Sequence, residues 1–159
     1  MTDVGSHAND AGHSRRAFFS LVSGAVVGIT LLPSSLQAAP EHVAAEIKKL
    51  FGDKKLTDGK IKIDLPSIAE NGLVVPLGFD VESPMTDKDY VRALHFFADG
   101  NPNPLIAGFQ FTPLSPKASG SIRIRLAQSQ KIIAVAEMST GELYTAAKEV
   151  KVTIGGCGG

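Results

Sequence analysis

The chain has 159 residues, which is enough for one domain with a hydrophobic core of its own. Its 16 lysines and arginines balance its 16 aspartates and glutamates, and this neutral composition, with a pI of about 6.9, offers no basic surface for nucleic acid. Tryptophan is absent and tyrosine occurs only twice, so platforms for aromatic stacking are scarce.

The N-terminal segment has the features of an export signal. The sequence Ser-Arg-Arg-Ala-Phe-Phe at 14–19 is typical of the twin-arginine signal, with Arg15 and Arg16 as the defining pair. The apolar stretch 21–32 is shorter than the roughly 20 residues that a membrane span needs, and small residues follow it at a suitable cleavage position. We therefore predict that 1–38 is a cleaved export signal and that the mature protein is periplasmic. The alternative is a chance arginine pair before an apolar membrane anchor.

The mature chain begins with a predicted helix over 40–51. Val43, Ile47 and Leu50 recur at helical spacing, a proline stands at the start, and Gly52 stands at the end. His42 has no second metal-binding residue at helical spacing, so we interpret it as a solvated helix residue.

From residue 60 onward the apolar residues alternate with a period of two, which indicates strands. The residues 90–98 and 105–112 flank a turn at 99–104, which predicts a hairpin. Pro76 indicates an edge position or a bulge in its strand. The strands are predicted at 60–65, 73–82, 90–98, 105–112, 121–126, 132–138 and 142–154. About seven such strands at this spacing, after one N-terminal helix, predict a mainly β, immunoglobulin-like antiparallel β-sandwich over 39–154.

The last strand leads directly into a glycine-rich tail that we interpret as a carrier arm, 155–159. Its residues are Gly155, Gly156, Cys157, Gly158 and Gly159. Four glycines disfavour regular structure and predict flexibility, and five extended residues reach at most about 17 Å. Cys157 is the only cysteine of the chain, and no cation stands beside it in the sequence to favour the thiolate. The sequence therefore predicts a thiol that serves as a handle on a swinging arm.

A chain that ends in Gly-Gly-Cys-Gly-Gly after a valine-rich strand resembles SoxY, the sulfur-carrier subunit of the bacterial periplasmic thiosulfate-oxidising (Sox) system. Cys157 matches the family's sulfur-carrying cysteine, and the four flanking glycines match as well. The resemblance implies a similar fold over the mature chain and a carrier that is not an enzyme. It also implies no cofactor other than the sulfur bound to Cys157.

The same resemblance implies partners. SoxY forms a heterodimer with SoxZ, and the twin-arginine route exports proteins already folded, so a partner without a signal can leave with it. The family's sulfur is loaded by a haem enzyme, released as sulfate by a metal-dependent hydrolase, and oxidised by a sulfur dehydrogenase. From the sequence we place the partner-binding surface on the phenylalanine-rich hairpin, with Phe96, Phe97, Phe109 and Phe111.

Other candidate sites have simpler interpretations. Arg123 and Arg125 share a strand face, and a tight turn at 128–130 would place Lys131 opposite them. Such a group could attract an anion. The ordinary alternative is a solvated strand face. His95 lies within an apolar strand and is interpreted as structural. The acidic residues Glu82, Asp87 and Asp89 lack the ligand spacing of a calcium site. Common catalytic motifs are absent from the sequence.

Two other functions start from the same tail. Ubiquitin-like sulfur carriers end in Gly-Gly and load sulfur as a thiocarboxylate, which would make Gly159 the reactive residue. Alternatively, the protein is a structural sandwich whose Cys157 forms an interchain disulfide, because a single cysteine can pair only with another molecule.

Overall fold

The computed structural model describes residues 40–156, and the architecture below refers to those residues. The predicted export signal, with Arg15 and Arg16, lies outside them, as do Cys157, Gly158 and Gly159. Within 40–156 no helix has the length and hydropathy needed to span a bilayer.

One helix and nine strands make up the described part of the chain. Helix α1 spans Pro40–Phe51, as the sequence predicts. The strands are β1 (Leu56–Asp58), β2 (Ile61–Asp64), β3 (Ile68–Asn71), β4 (Val75–Val81), β5 (Val91–Ala98), β6 (Leu105–Gln110), β7 (Ala118–Ile124), β8 (Gln130–Met138) and β9 (Leu143–Ile154).

The strands form two sheets that pack as an immunoglobulin-like β-sandwich, which confirms the predicted fold class. The large sheet has the order β1-β9-β8-β5-β6, with β3 also paired to β9, and the small sheet has the order β2-β4-β7. The hairpin of β5 and β6 is confirmed as well. Pro76 lies beyond the part of β4 that pairs with β2, so its missing N–H interrupts no hydrogen bond on that side.

Two short strands, β1 and β3, were not expected from the sequence. Both pair in parallel with β9, at opposite ends of that strand: Leu56–Asp58 beside Leu143–Thr145, and Ile68–Asn71 beside Lys151–Ile154. Three or four residues are too few to show a period of two, so these strands depend on their distant partner rather than on a local pattern.

The main core lies between the sheets and is rich in phenylalanine. Phe79 contacts Phe96 and Phe109, with ring centroids 5.4 and 4.7 Å apart. Phe111 packs against the same group from the edge of the core. Phe97 points to the opposite face, where helix α1 buries Val43 and Phe51 in a second, smaller cluster. Placing the partner surface on these phenylalanines is therefore wrong for Phe96 and Phe97, which are fully buried within this chain.

The predicted tight turn at 128–130 does not join a hairpin. Strand β7 pairs with β4 in the small sheet, whereas β8 pairs with β5 and β9 in the large sheet. The segment 125–129 therefore crosses from one sheet to the other. Alternating apolar residues indicate a strand but not the sheet to which it belongs, which is why the pattern suggested a hairpin here.

Candidate functional site

The candidate site is the end of strand β9, where the chain continues toward its C-terminus. Strand β8 accompanies β9 only as far as the pair Gln130 and Val150. Beyond that point β9 is paired with β3, in parallel, up to its last residue, Ile154, which lies opposite Asn71. On the other side, the Val152 N–H donates to the Ser129 hydroxyl oxygen at 2.9 Å. The end of β9 is thus held from both sides by short, sequence-distant segments.

Three backbone hydrogen bonds join the chain exit to two other segments, and we call this arrangement the clasp. The Gly72 N–H donates to the Ile154 carbonyl oxygen at 2.8 Å. The Leu126 N–H donates to the Gly72 carbonyl oxygen at 2.8 Å, and the Gly156 N–H donates to the Leu126 carbonyl oxygen at 3.0 Å. Because Leu126 is fully buried, the clasp connects the exit to the core of the sandwich.

Glycines are required in the clasp because its backbones lie too close for side chains. A Cβ on Gly72 would overlap the Leu126 carbonyl oxygen and lie 2.8 Å from the Gly156 nitrogen. A Cβ on Gly155 would overlap the Ala127 carbonyl oxygen, and one on Gly156 would lie 2.9 Å from the Leu73 nitrogen. None of the three has the positive φ that itself favours glycine, so close approach is the reason for glycine here.

A buried amide, Asn101, holds the middle segment of the clasp. Its Nδ2 donates to the Arg125 carbonyl oxygen at 2.9 Å, and its Oδ1 accepts from the Ala127 N–H at 2.9 Å. The same oxygen accepts from Gln130 Nε2 at 2.9 Å. Asn101 is 1 % exposed, so these bonds form in a water-poor environment where an unmade bond is costly. The side chain therefore fixes the backbone on both sides of Leu126.

The predicted arm begins inside this arrangement. The sequence assigns flexibility to Gly155, Gly156, Gly158 and Gly159. The structure places Gly156 as a buried residue hydrogen-bonded to Leu126, and Gly155 against Ala127. Flexibility of the arm stays a prediction, because Cys157 and the two glycines after it lie outside the described residues. The contacts of Gly155 and Gly156 supply a second reason for glycine at these positions, close packing.

The structure does not assemble the basic residues considered as an anion site. Arg123 and Arg125 are exposed, and β7 runs beside β4 rather than beside β8. Lys131 lies on β8 opposite Glu149 of β9, with Lys131 Nζ 4.0 Å from Glu149 Oε1. The predicted pairing of Lys131 with the two arginines is therefore wrong, because the hairpin that it needs is not formed.

His95 occupies a half-buried position under the end of helix α1. Its ring meets Phe51 edge-on, with centroids 5.4 Å apart, and its Nδ1 is buried without a hydrogen-bond partner. Burial lowers the pKa of His95, and the nearby Glu137 carboxylate partly opposes that shift. Glu137 in turn pairs with Arg92 at 2.8 Å and with Lys54 at 3.3 Å. The arrangement is consistent with the structural role expected for His95.

Neither a metal-binding cluster nor a charged groove identifies a second site in the described residues. No group of three or more His, Cys, Asp or Glu residues in 40–156 is placed to hold a metal ion, and this includes Glu82, Asp87 and Asp89. A groove of about 740 Å³ lies beside the end of β9. It carries two lysines, Lys131 and Lys151, and two acids, Asp99 and Glu149, so its charges balance and favour neither anions nor cations.

Sequence reasoning found the tail but missed the residues that hold it. Gly72 appeared only as part of a turn, Asn101 as part of the hairpin loop, and Leu126 as the end of a strand. An Asn-Gly pair predicts a turn wherever it occurs. It does not indicate that Gly72 is hydrogen-bonded to Ile154, more than eighty residues later in the chain. The one available signal was the pair of glycines directly before Cys157, because glycine is required in closely packed backbone as well as in flexible segments.

Two comparisons with known proteins identify the same family. The model of the family described as sulfur oxidation protein SoxY matches residues 47–157. Among solved structures, the sulfur carrier protein SoxY from Chlorobium limicola f thiosulfatophilum is 32 % identical, with a TM-score of 0.60, covering 70 % of this chain and 96 % of that chain. A comparison with curated protein sequences gave no match.

More distant structures share the fold alone. A superoxide reductase (neelaredoxin) variant from Ignicoccus hospitalis is 21 % identical, with a TM-score of 0.53, covering 72 % of this chain and 92 % of that one. A putative superoxide reductase from Thermotoga maritima is 16 % identical, with a TM-score of 0.52, covering 61 % and 93 %. At such identities the likeness extends to the sandwich and not to its chemistry.

Proposed function

This chain belongs to the SoxY family of sulfur oxidation proteins, and we propose that it is a periplasmic carrier that holds thiosulfate-derived sulfur covalently on Cys157. Family membership makes it a sulfur carrier in sulfur oxidation and not an enzyme. The observation that carries the finer proposal is the extent of the family match, which runs from residue 47 to Cys157 itself. The match supports the proposal because it extends to the residue that we propose to carry the sulfur.

The proposed cycle begins with loading. The Cys157 sulfur and the outer sulfur of thiosulfate join in a new S–S bond, the thiol proton is released, and the electron pair passes to a haem enzyme and its acceptor. Water then removes the terminal sulfone group as sulfate, releases protons and leaves a persulfide on Cys157. This second step is a hydrolysis without net oxidation, and we assign it to a metal-dependent hydrolase.

The persulfide completes the cycle. Its outer sulfur is oxidised to a sulfonate with oxygen from water, and the electrons pass to a sulfur dehydrogenase. A second hydrolysis releases sulfate and restores the thiol. The carrier supplies no catalytic group in these steps. Its contribution is a thiol flanked by glycines, which allow entry into narrow active sites, on a root that is hydrogen-bonded to the sandwich.

The SoxY family implies a SoxZ partner, and we propose that this chain works as a heterodimer with a SoxZ-like subunit. We further propose export in the folded state through the twin-arginine route, which suits co-export of a partner without its own signal. Replacing Arg15 and Arg16 together by lysine is expected to leave the protein in the cytoplasm with its leader uncleaved. Normal export of that variant would contradict the proposed route.

Mass spectrometry of the intact protein from thiosulfate-grown cells tests the carrier function. We expect masses for added sulfur and for a thiosulfate adduct, located on Cys157 by fragmentation and removed by a reductant. Cys157→Ser is expected to lose every adduct while folding normally. Adducts that persist in this variant and localise to Gly159 would support a thiocarboxylate instead. A uniform disulfide-linked dimer without added sulfur would support a structural role.

A further inference from the structure

Three exposed apolar side chains lie next to the clasp. Leu73 is 44 % exposed, Val74 is 58 % exposed and Ile154 is 67 % exposed. Single exposed apolar residues are ordinary on protein surfaces, but neighbouring ones mark contact sites. In the described residues seven large apolar side chains are exposed, and these three lie within two residues of a clasp glycine. We call Leu73, Val74 and Ile154 the collar.

Backbone contacts place the collar beside the chain exit. The Ile154 carbonyl oxygen accepts from the Gly72 N–H, which places Ile154 beside the residue before Leu73. Gly156 packs so closely on the same turn that a Cβ there would lie 2.9 Å from the Leu73 nitrogen. Val74 follows Leu73 directly and precedes strand β4. The chain therefore leaves the domain from Ile154, beside the turn that carries Leu73 and Val74.

The position of Cys157 brings its modifying enzymes to the same place. It follows Gly156 immediately, and consecutive Cα atoms are about 3.8 Å apart. Covalent geometry therefore limits the Cys157 sulfur to about two residue lengths, on the order of 7 Å, from the Cα of Gly156, and Gly156 packs against the turn that carries Leu73. An active site that encloses this sulfur must approach Gly156 closely while the clasp is closed, which brings the rim of its entrance to the turn of Leu73 and Val74 and the end of β9 at Ile154. The three residues after Gly156 carry one side chain among them and offer little apolar surface to cover the collar themselves.

We propose that the collar is the docking surface for the enzymes that act on Cys157, and that these enzymes present an apolar rim around the entrance to the active site. The inference rests on the proposed carrier function and adds to it a recognition surface. Apolar contact is not directional, so one collar can serve several enzymes in succession while the chemistry differs inside each active site. Contacts with the collar do not involve the reacting atoms. They should therefore strengthen binding of the carrier to the enzyme without changing the rate of the chemical step.

The test uses the mature heterodimer, thiosulfate and the haem loading enzyme of the same Sox system, with its electron acceptor. The double variant Leu73→Ser/Val74→Ser is expected to raise the KM for the carrier by about tenfold, since hot-spot contacts of about 1.4 kcal/mol or more correspond to that factor. The kcat should remain close to wild type, because the thiol and its neighbours are unchanged. Leu73→Met/Val74→Ile retains apolar side chains and should load as the wild type does.

Leu114→Ser is the matched control. Leu114 is 94 % exposed and lies just before the end of β7 that pairs with Val81, whereas the clasp lies beyond the other end, where Ile124 pairs with Val75. This variant should load normally. In every variant the rate at which Cys157 reacts with a small aromatic disulfide reagent reports thiol access without docking, and it should be unchanged.

The outcomes separate the two proposals. A raised KM with unchanged reagent reactivity and unchanged heterodimer formation supports the collar. Loading of the Leu73→Ser/Val74→Ser variant within twofold of wild type overturns it, and so does a parallel loss of the heterodimer, which would assign the surface to the other subunit. If the wild-type protein takes up no sulfur on Cys157 under these conditions, the carrier function itself has failed, whatever the collar variants do.

Discussion

The sandwich core and the clasp are held together by opposite means. The core is built from large side chains, such as Phe79, Phe96 and Leu77, which fill the space between the sheets. The clasp depends on three residues without side chains, Gly72, Gly155 and Gly156, and its contacts are between backbones. Removing atoms damages the first region, and adding atoms damages the second. The comparison shows that glycines directly before the cysteine of the predicted arm can be packing residues.

The largest expected effect is in the core. Phe96→Ala removes a fully buried ring that contacts Phe79 and Phe109, and cavity formation should lower the free energy of unfolding by about 3–5 kcal/mol. Urea denaturation measures the loss. Phe96→Leu keeps most of the volume and should lose much less. An equal loss in both variants would show that ring packing is not what Phe96 contributes.

The clasp should respond to the reverse change. Gly72→Ala adds a methyl group that overlaps the Leu126 carbonyl oxygen, and overpacking of this kind costs about 1–3 kcal/mol. We expect the amide hydrogens of Leu126 and Gly156 to exchange faster with solvent, while the amide of Leu94 in the core changes less. Hydrogen exchange followed by NMR gives both values in one experiment.

Gly108→Ala is the control for that substitution. Gly108 lies on the edge strand β6, and a Cβ there would meet only the His95 side chain, at 3.2 Å. Its added methyl group should leave the exchange of the Gly156 amide unchanged. If Gly72→Ala and Gly108→Ala behaved alike, the close approach of backbones in the clasp would not be what requires glycine.

The smallest expected effect concerns pH and the helix-covered face of the large sheet. Burial lowers the pKa of His95 in the folded state relative to its ordinary value of 6.5. The unfolded chain therefore binds more protons below about pH 6.5, so the free energy of unfolding should fall as the pH drops below that value, until it passes the folded-state pKa. His95→Leu should reduce this dependence, as measured by urea denaturation at pH 7.5 and pH 5.5, both on the order of one unit from the ordinary value.

His42 provides the control for the pH experiment. It is an exposed residue of helix α1, so His42→Gln removes a histidine without disturbing the packing around His95, and it is measured in parallel. The charged neighbours of His95, which are Glu137 with its partners Arg92 and Lys54, stay in place in both variants. A pH dependence that is identical in wild type and His95→Leu would show that His95 does not contribute to it.

Local patterns predicted those parts of the fold whose causes are local. Helix α1 has its proline, its apolar spacing and its terminal glycine within one segment, and its bounds were predicted correctly. The β5–β6 hairpin was likewise set by a strong turn signal between two apolar runs. Strand β3 and the sheet change between β7 and β8 depend on pairing with distant segments, and no local pattern reports that pairing.

The candidate site divides in the same way. The tail of glycines around Cys157 is visible in the sequence, and so is its resemblance to a known carrier. Asn101 is hydrogen-bonded to Arg125 and Ala127, and Gly72 to Ile154, and these pairs are 24 to 82 positions apart in the sequence. Their existence follows from the packing of the whole sandwich, so only a structure could reveal them.

The location of β9 has a mechanical consequence. This strand runs between β8 on one side and β1 and β3 on the other. Its hydrogen bonds to antiparallel β8 are perpendicular to its length, and those to parallel β1 and β3 are slanted but also cross from strand to strand. A force that pulls on the C-terminus therefore acts along β9 and shears many of these bonds at once instead of opening them one by one. The domain is built to resist tension at the end where Cys157 is attached.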